Sequence, residues 1–578
     1  MKSGLSWLDV KLGVRMLFKY PGLTLVGGLG MALAIGVGAG MFAFMYAFMF
    51  PRLPLDEGHR IVAIENWDLR RDNQDRRSLH DLAAWRTELR TVREVSAFRD
   101  VDRNHIAPDG TTTPVALAEI TASGFRVARV APALGRYLVD EDEMPGAQPV
   151  VVIGHDVWRT RFAADPRIVG RTVRLGNVMH TVVGVMPRGY AFPVNHDWWI
   201  PFRLTPSDHP RGGGPELHVF GRLAPGATQA QAQAELDAVG RRTAAAFPQT
   251  HATLRPRVMD YAHPFGGVQD VSVWEMTAIQ GMISLLLVVV AVNVSILVYA
   301  RTAMRRGEIA IRTALGASRR RIVGQLFVEA LVLSGIAALM GLGLGQAGMG
   351  LAFRIQELDG GGAIPFWMDA RIPAPTVVYA VGMAVLAAVI AGVLPALGVT
   401  GRRMQDSLRQ LGGGTGLQLG RTWTVLIVAQ VGFAVAAIPI ALGVTIEEVG
   451  EVLTRPRFDV DRYLVASVAA DREPPTGVEA EAYGAELGER FADAQGELLR
   501  RLRAEPWAGS VTVGSGLPSV GGWTPVEMDG PPRQVRGGNA VSVSHVDSSY
   551  FGTYGATLLA GRPLRSGDVD TASTAVVV

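Results

Sequence analysis

The sequence contains no cysteine, which excludes disulfide bonds and thiolate metal sites. Lysine is nearly absent too, occurring only at Lys2, Lys11 and Lys19 of 578 residues. The phosphate-binding loop GxxxxGK[ST] therefore cannot occur beyond the first few residues, which excludes a Walker-type ATPase site. The chain also lacks HExxH and GxSxG, and the lysine positions exclude SxxK. We expect a protein that is not an enzyme and that uses no metal or cofactor.

Charged residues are scarce, at 19%, whereas hydrophobic residues make up 48% of the chain. This balance is typical of a membrane protein with large water-exposed parts. The net charge of +3 is too small for so long a chain to favour a nucleic-acid partner. We therefore predict an integral membrane protein that binds no nucleic acid.

Five charge-free stretches are each long enough to cross a hydrocarbon core of about 30 Å as a helix. The first is too long for the apolar core of a signal peptide, which predicts an uncleaved membrane anchor. The five predicted spans are residues 21–50, 276–300, 330–353, 372–400 and 422–446.

The charges between the spans predict which side of the membrane each loop occupies. Arginine dominates residues 301–329 and 401–421, so these loops and the N-terminus are predicted to be cytoplasmic. The outer parts are then residues 51–275, 354–371 and 447–578. Residues 1–20 are predicted to form an interfacial helix that ends at Pro21. Its apolar positions are Leu5, Leu8, Leu12 and Met16, and its basic residues Lys11, Arg15 and Lys19 are available for lipid headgroups.

Residues 51–275 alternate between strand and helix patterns and predict an α+β domain. Residues 150–153 form a buried-strand pattern, and residues 155–162 predict a short helix. A hairpin is predicted across Gly176-Asn177, and a strand over residues 217–223. Thr228 with Gln231 forms a capping box at the start of a later helix.

The outer parts contain an internal repeat. Residues 123–152 align without a gap to residues 549–578, with nine identities in thirty positions. About two would be expected by chance, which indicates a tandem duplication. The identical positions in the first copy are Ser123, Phe125, Gly135, Arg136, Leu138, Asp142, Val150, Val151 and Val152. Because the first copy continues through three more spans, we expect the second copy to be C-terminally incomplete in this sequence, by roughly 260 residues.

The cytoplasmic segment 301–329 shows two helical patterns. Glu308 lies four residues before Arg312, the favourable order for an ion pair within a helix, and Ile311 with Leu315 gives an apolar side. Gly316 is predicted to stop this helix and Ser318 to cap the next. The arginines at 319–321 then oppose the helix dipole, which leaves two explanations open: anionic lipid headgroups or an acidic partner surface.

Glycines at GxxxG spacing predict close contact between membrane helices. They are Gly36 and Gly40 in the first span, with Gly341, Gly343 and Gly345 in the third.

Several stretches resemble the FtsX-like and MacB-like permeases of ABC transporters, and most closely their duplicated orphan form. The resemblance lies in VRMLFKYPGLTLV before the first span, in VVVIGHDVWRTRFAADPRIVGRTVRLGN in the outer domain, and in RRGEIAIRTALGASRRRIVGQLFVEA after the second span. LGRTWTVLIVAQVGFAVA and YFGTYGATLLAGRPL are similar in the second half.

The resemblance implies MacB-like periplasmic core domains on an α-helical transmembrane bundle in the bacterial inner membrane. It further implies a permease subunit that couples a separate cytoplasmic ABC ATPase to movement of the periplasmic domains, for export. The ATPase-docking residues it implies are Arg305, Arg306, Glu308, Ile309, Ile311, Arg312, Ala314, Leu315, Gly316 and Ala317.

The alternative function is an FtsX-like membrane scaffold that regulates a periplasmic enzyme, such as a cell-wall hydrolase. The expected partners are thus the ATPase, membrane lipids and a periplasmic adaptor or hydrolase.

Overall fold

A computed structural model of the chain describes residues 7–19, 21–70, 73–265, 273–304, 311, 315, 318–358, 364–368 and 371–399. It also describes scattered positions between 424 and 468, and residues 480–515, 522–525, 540–565 and 568. The chain divides into two compact units, Met1–Gln430 and Val431–Val578.

The membrane part of the first unit is helical. Its helices are α1 (Trp7–Lys19), α2 (Pro21–Met49), α8 (Val273–Met304), α9 (Arg319–Leu358), α10 (Ala374–Ala388) and α11 (Leu394–Val399). Pro21 opens α2 at a position where a missing N–H costs no hydrogen bond. Within the described residues, four helical stretches are long and apolar enough to span a membrane. The predicted fifth span, 422–446, lies largely outside the described residues.

Helices α2 and α9 touch through backbone, as the glycine spacing predicts. A methyl group added at Gly36 would lie 2.9 Å from the Gly341 carbonyl oxygen, and one at Gly341 would lie 2.7 Å from that of Ala32. Gly345 meets Gly36 and Gly40 in the same way, whereas Gly343 faces open space. Such close approach replaces side-chain packing with direct contact between helix backbones.

A π-helical turn, Val389–Val393, separates α10 from α11. The Ser295 hydroxyl of α8 donates to the Ile390 carbonyl at 2.8 Å, which partners a polar group inside the bundle. A methyl group at Gly392 would lie 2.8 Å from the Leu326 carbonyl oxygen of α9. The fourth span is therefore tied to α8 and α9 at this turn.

The outer domain is built on an eleven-stranded sheet with the main strand order β11-β1-β10-β3-β4-β9-β6-β8-β5. Strand β2 pairs with β1, and β7 pairs with β3 and β8. The strands are β1 (Ile61–Asp68), β2 (Asn73–Asp75), β3 (Val92–Ile106), β4 (Thr112–Ile120), β5 (Leu134–Gly135), β6 (Val150–Ile153), β7 (Thr172–Leu175), β8 (Val178–Val185), β9 (Trp198–Pro201), β10 (His218–Leu223) and β11 (Leu254–Asp260). The helices of the domain are α3 (Leu79–Glu88), α4 (Ala122–Ala128), α5 (His155–Arg161), α6 (Gln229–Ala246) and α7 (Pro248–His251).

The predicted α+β elements of this domain are confirmed. Strand β6 is buried along its whole length, and β7 pairs with β8 across the turn at Gly176, where φ is +60°. The Thr228 hydroxyl accepts from the Gln231 backbone N–H while the Gln231 side chain accepts from the Thr228 N–H. The turn and the capping box each depend on interactions within a few residues, so the local sequence is enough to predict them.

In the second unit, the described elements are α12 (Ala480–Ala504), the paired strands β12 (Gly522–Pro525) and β13 (Ala540–Val543), and α13 (Tyr550–Thr553). The repeat is visible in its geometry. Arg136 bonds both carboxylate oxygens of Asp142, at 2.6 and 2.9 Å, and Arg562 bonds those of Asp568, at 2.6 and 2.8 Å. We call each pair an arginine clasp.

Each clasp also holds a backbone N–H. Val139 donates to Asp142 at 2.9 Å, and Arg565, the residue at the equivalent position, donates to Asp568 at 2.8 Å. The backbone before each clasp is left-handed at the same two positions, Arg129 and Gly135 in the first copy and Gly555 and Gly561 in the second. The identities in the sequence thus correspond to one repeated loop structure.

Candidate coupling site

The segment 301–329, which is predicted to be cytoplasmic, presents two exposed aliphatic side chains. Of the ten predicted docking residues, the structure describes Ile311 and Leu315, whose side chains are 64% and 83% exposed. The Leu315 N–H donates to the Ile311 carbonyl at 2.9 Å, so the two lie one helical turn apart on the same side. Together they form an apolar patch facing away from the protein. The other eight lie outside the described residues: Arg305, Arg306, Glu308, Ile309, Arg312, Ala314, Gly316 and Ala317.

Helix α9 begins within this segment, at Arg319. The Ser318 hydroxyl accepts from the Arg321 N–H at 3.4 Å, in the manner of the predicted N-cap. The helix then continues without interruption for 40 residues, about 60 Å at 1.5 Å per residue. That is twice the thickness of a hydrocarbon core, so α9 extends beyond the predicted span 330–353 at both ends. One continuous helix therefore runs from the predicted cytoplasmic segment into the predicted outer loop 354–371.

The outer loop after α9 is docked on the outer domain. The Phe366 N–H donates to the Val194 carbonyl at 2.8 Å. The Trp367 ring lies 5.8 Å from the ring of Tyr261 and 5.7 Å from that of Phe265, both edge-on. These contacts are within the usual range for interacting aromatic pairs. We call the whole cluster the aromatic junction; it consists of Phe98, Phe192, Phe220, Tyr261, Phe265, Phe366 and Trp367.

Three connections to the membrane helices meet the same core of the outer domain. Leu53 and Leu55, which follow α2, pack on it, and Tyr261 and Phe265, which precede α8, are part of it. Phe366 and Trp367 supply the third connection, between α9 and α10. The Tyr261 hydroxyl donates to the Pro193 carbonyl at 2.8 Å, which fixes the ring. The segments that follow α2, precede α8 and join α9 to α10 thus converge on one core of the outer domain.

The aromatic junction is flanked by a histidine that is neutral at pH 7. The His218 ring lies 4.9 Å from the rings of both Phe98 and Phe265. Burial, followed by the positive charge of Arg76, lowers the pKa of His218 to about 4. Burial also raises the pKa of Tyr261 well above its usual range. The junction consequently packs as an uncharged cluster.

Sequence reasoning treated residues 354–371 only as an outer loop and missed Phe366 and Trp367. The available signal was a pair of adjacent aromatic residues in a short loop between two spans. Among the described residues, no group of three or more histidine, aspartate or glutamate side chains is placed to hold a metal ion.

The comparisons with known proteins match two parts of the chain to protein families. Residues 28–239 match the family model of the MacB-like periplasmic core domain, and residues 281–403 match that of the FtsX-like permease C-terminal region. The chain is 24% identical over 245 residues to the uncharacterized ABC transporter permease YknZ of Bacillus subtilis (strain 168). That match covers 42% of this chain and 53% of the relative, so the chain spans about half the length of that relative.

Two solved structures are similar to parts of the chain. The periplasmic region of MacB from Actinobacillus actinomycetemcomitans is 14% identical, with 37% of this chain and 95% of that chain covered and a TM-score of 0.28. The extracellular domain of the noncanonic ABC-type transporter YknZ from Gram-positive bacteria is 16% identical, with 34% and 99% covered and a TM-score of 0.27.

Proposed function

We infer the function of this chain from the family it belongs to, the FtsX-like and MacB-like permeases of ABC transporters. We propose that it is a permease subunit that converts ATP hydrolysis by a separate cytoplasmic ABC ATPase into movement of its outer domain, for export. Its place is the bacterial inner membrane, with a cytoplasmic N-terminus. The observation that carries the proposal is helix α9, which runs unbroken from the cytoplasmic segment to the loop that docks on the aromatic junction.

In this proposal the ATPase docks on the cytoplasmic segment. The apolar patch of Ile311 and Leu315 enters a groove of the partner, and charged neighbours fix the register. The docking surface comprises Arg305, Arg306, Glu308, Ile309, Ile311, Arg312, Ala314, Leu315, Gly316 and Ala317. Binding there moves the start of α9, and the far end of α9 moves the loop held by Phe366 and Trp367.

Docking is tested by Leu315→Asp in the full chain, purified from membranes of its native host. Because the Leu315 side chain is 83% exposed, the substitution changes the surface and not the core. We expect at least a tenfold loss of the co-purifying ABC ATPase, identified by mass spectrometry. The matched control is Leu69→Asp, an exposed leucine of the outer domain, which should leave recovery unchanged. Equal recovery with both variants contradicts docking at this segment.

Transmission is tested separately, by the distance between two spin labels. Since the chain has no cysteine, Leu69→Cys and Leu351→Cys supply unique exposed sites in the outer domain and on α9. We expect ATP to change this distance in the complex with the ATPase, and Trp367→Ala to abolish the change while the ATPase stays bound. Trp274→Ala is the control, because that side chain is 77% exposed and lies outside the aromatic junction.

The same measurements separate the alternative function. A scaffold that activates a periplasmic hydrolase would retain the hydrolase on the outer domain and would need no ABC export partner. The scaffold function would be supported, and the export function contradicted, by two results together. A hydrolase would co-purify through the outer domain, and ATP would leave the distance between the two labels unchanged.

A further inference from the structure

The N-terminal helix α1 lies directly on helix α9. Gly13 is buried in the contact: a methyl group there would lie 3.0 Å from Val332 Cγ2 and 3.5 Å from Glu329 Cα. Leu17, one turn further along, packs on the core between the membrane helices. Gly13 and Leu17 are four residues apart and share one side of α1. This side is occupied by protein.

Another side of α1 carries large apolar residues that protein does not cover. Trp7 and Phe18 are 79% and 82% exposed, and Val14 is 41% exposed. Their spacings of seven and four residues place all three on one strip of the helix. Lys11 and Arg15 are exposed beside that strip. Aromatic residues at both ends with cations between them are typical of a helix lying in a membrane interface.

The position of α1 in the chain identifies what covers this strip. Only Tyr20 separates α1 from α2, and the Thr24 hydroxyl of α2 donates to the Leu17 carbonyl at 2.9 Å. The membrane-spanning stretch of α2 begins at that same threonine. Helix α1 therefore lies at the level where the first span enters the bilayer, and its free side meets lipid.

We propose that α1 is a binding surface for anionic phospholipid. Trp7, Val14 and Phe18 insert at the boundary between headgroups and acyl chains, and Lys11 and Arg15 bind lipid phosphates. The aromatic side chains anchor the helix, whereas the cations select lipids of negative charge. This surface needs the first span to cross the membrane and does not depend on an ATPase partner.

The test uses the natural absence of cysteine. The full chain carrying Val14→Cys is labelled with a fluorophore and reconstituted in vesicles of phosphatidylcholine and phosphatidylglycerol, one of which is brominated on its acyl chains. We expect the brominated lipid to quench the label, because Val14 faces the acyl boundary. The control label at Leu315→Cys, an exposed position on the cytoplasmic segment, should be quenched by aqueous iodide instead.

The preference for anionic lipid is measured by comparing how strongly the two brominated lipids quench the Val14 label. Brominated phosphatidylglycerol should quench the Val14 label more than brominated phosphatidylcholine does. Lys11→Gln and Arg15→Gln should each reduce this preference for the anionic lipid by about fivefold. Both side chains are exposed, so these variants fold normally. Iodide quenching of the Val14 label like that of Leu315 overturns the lipid surface, and equal quenching by the two lipids overturns its selectivity.

Discussion

The two copies of the arginine clasp have the same local structure in different surroundings. The comparison shows which structural features a short sequence determines without the rest of the domain. The first clasp lies in the connection between β5 and β6 of the eleven-stranded sheet, and the second lies in a unit whose described residues pair two strands, β12 and β13. Despite this difference, Arg136 with Asp142 and Arg562 with Asp568 have the same bidentate geometry and the same backbone N–H contact. The loop closes through its own residues, since all of its partners lie within seven positions of one another.

The surroundings of the two loops differ far more than the clasps do. Phe125 is 1% exposed and its ring contacts Tyr137, Tyr190 and Trp199, whereas the equivalent Phe551 is half-buried beside Tyr550. The local sequence therefore determines the loop, and distant strands determine how deeply the neighbouring aromatic ring is buried.

The largest expected effect comes from removing the two phenylalanine rings. Phe125→Ala should destabilise the outer domain by about 3–5 kcal/mol, because it empties a fully buried site. Phe551→Ala should cost about 1–2 kcal/mol, since that ring is already half-exposed. Urea unfolding of the full chain in detergent, followed by hydrogen exchange of each region, measures both. Equal losses would mean that the two rings are buried alike.

The second prediction compares alanine substitutions at the equivalent glycines Gly135 and Gly561. It separates the cost of a left-handed backbone from the cost of a steric clash. Both have left-handed backbone, with φ of +68° at Gly135 and +84° at Gly561. A methyl group at Gly135 would lie 2.2 Å from the Val183 carbonyl oxygen, whereas at Gly561 it meets open space. Gly561→Ala should therefore cost only the conformational term, about 1–2 kcal/mol. Gly135→Ala should cost about 3 kcal/mol or more, because the β5–β8 contact must open as well.

Differential scanning fluorimetry of the two alanine variants compares these costs, with Gly110→Ala as a further site of positive φ in open space. If Gly135→Ala proves as mild as Gly561→Ala, then β5 is not held against β8 in the membrane-inserted protein.

The smallest effect is a difference in acid sensitivity. Hydrogen bonds from Arg562 and the Arg565 N–H hold the pKa of Asp568 far below its usual range. Burial raises the pKa of Asp142, and the bonds from Arg136 and Val139 outweigh it, so that the net shift is downward but smaller. A lowered folded-state pKa gives stability that is present above the unfolded value of about 3.8 and is lost as the pH falls through the folded value.

As the pH falls below about 3.8, the Asp142 clasp should therefore open before the Asp568 clasp. Hydrogen exchange of the Val139 and Arg565 amides, corrected for the intrinsic pH dependence, reports the two openings in one sample. Opening in the reverse order would mean that burial does not weaken the first clasp.

How much the sequence predicted depends on how far apart the interacting residues lie. Four of the five predicted spans, the capping box at Thr228 and the hairpin at Gly176 follow from patterns within a few residues, and the structure has an apolar helix, a capping box and a hairpin at these places. The docking of Phe366 on Val194 joins positions more than 150 residues apart, which no local pattern encodes.

Helix α1 also shows that local patterns do not predict contacts between distant parts of the chain. Its amphipathic pattern predicts a helix, but the predicted apolar residue Leu12 is 38% exposed, and the contact with α9 is made by Gly13 and Leu17. Which side of such a helix packs on protein is set by its neighbour.

The glycine contact between α2 and α9 divides the long helix into two lever arms. Gly341 lies about 33 Å from Arg319 and about 26 Å from Leu358, at 1.5 Å per residue. If α9 pivots where its backbone touches α2, a tilt of about 10° displaces the Arg319 end by about 6 Å and the Leu358 end by about 4 Å. The ring separations around Trp367 are 5.2 to 5.8 Å, so a displacement of that size is enough to part these rings and to let them meet again.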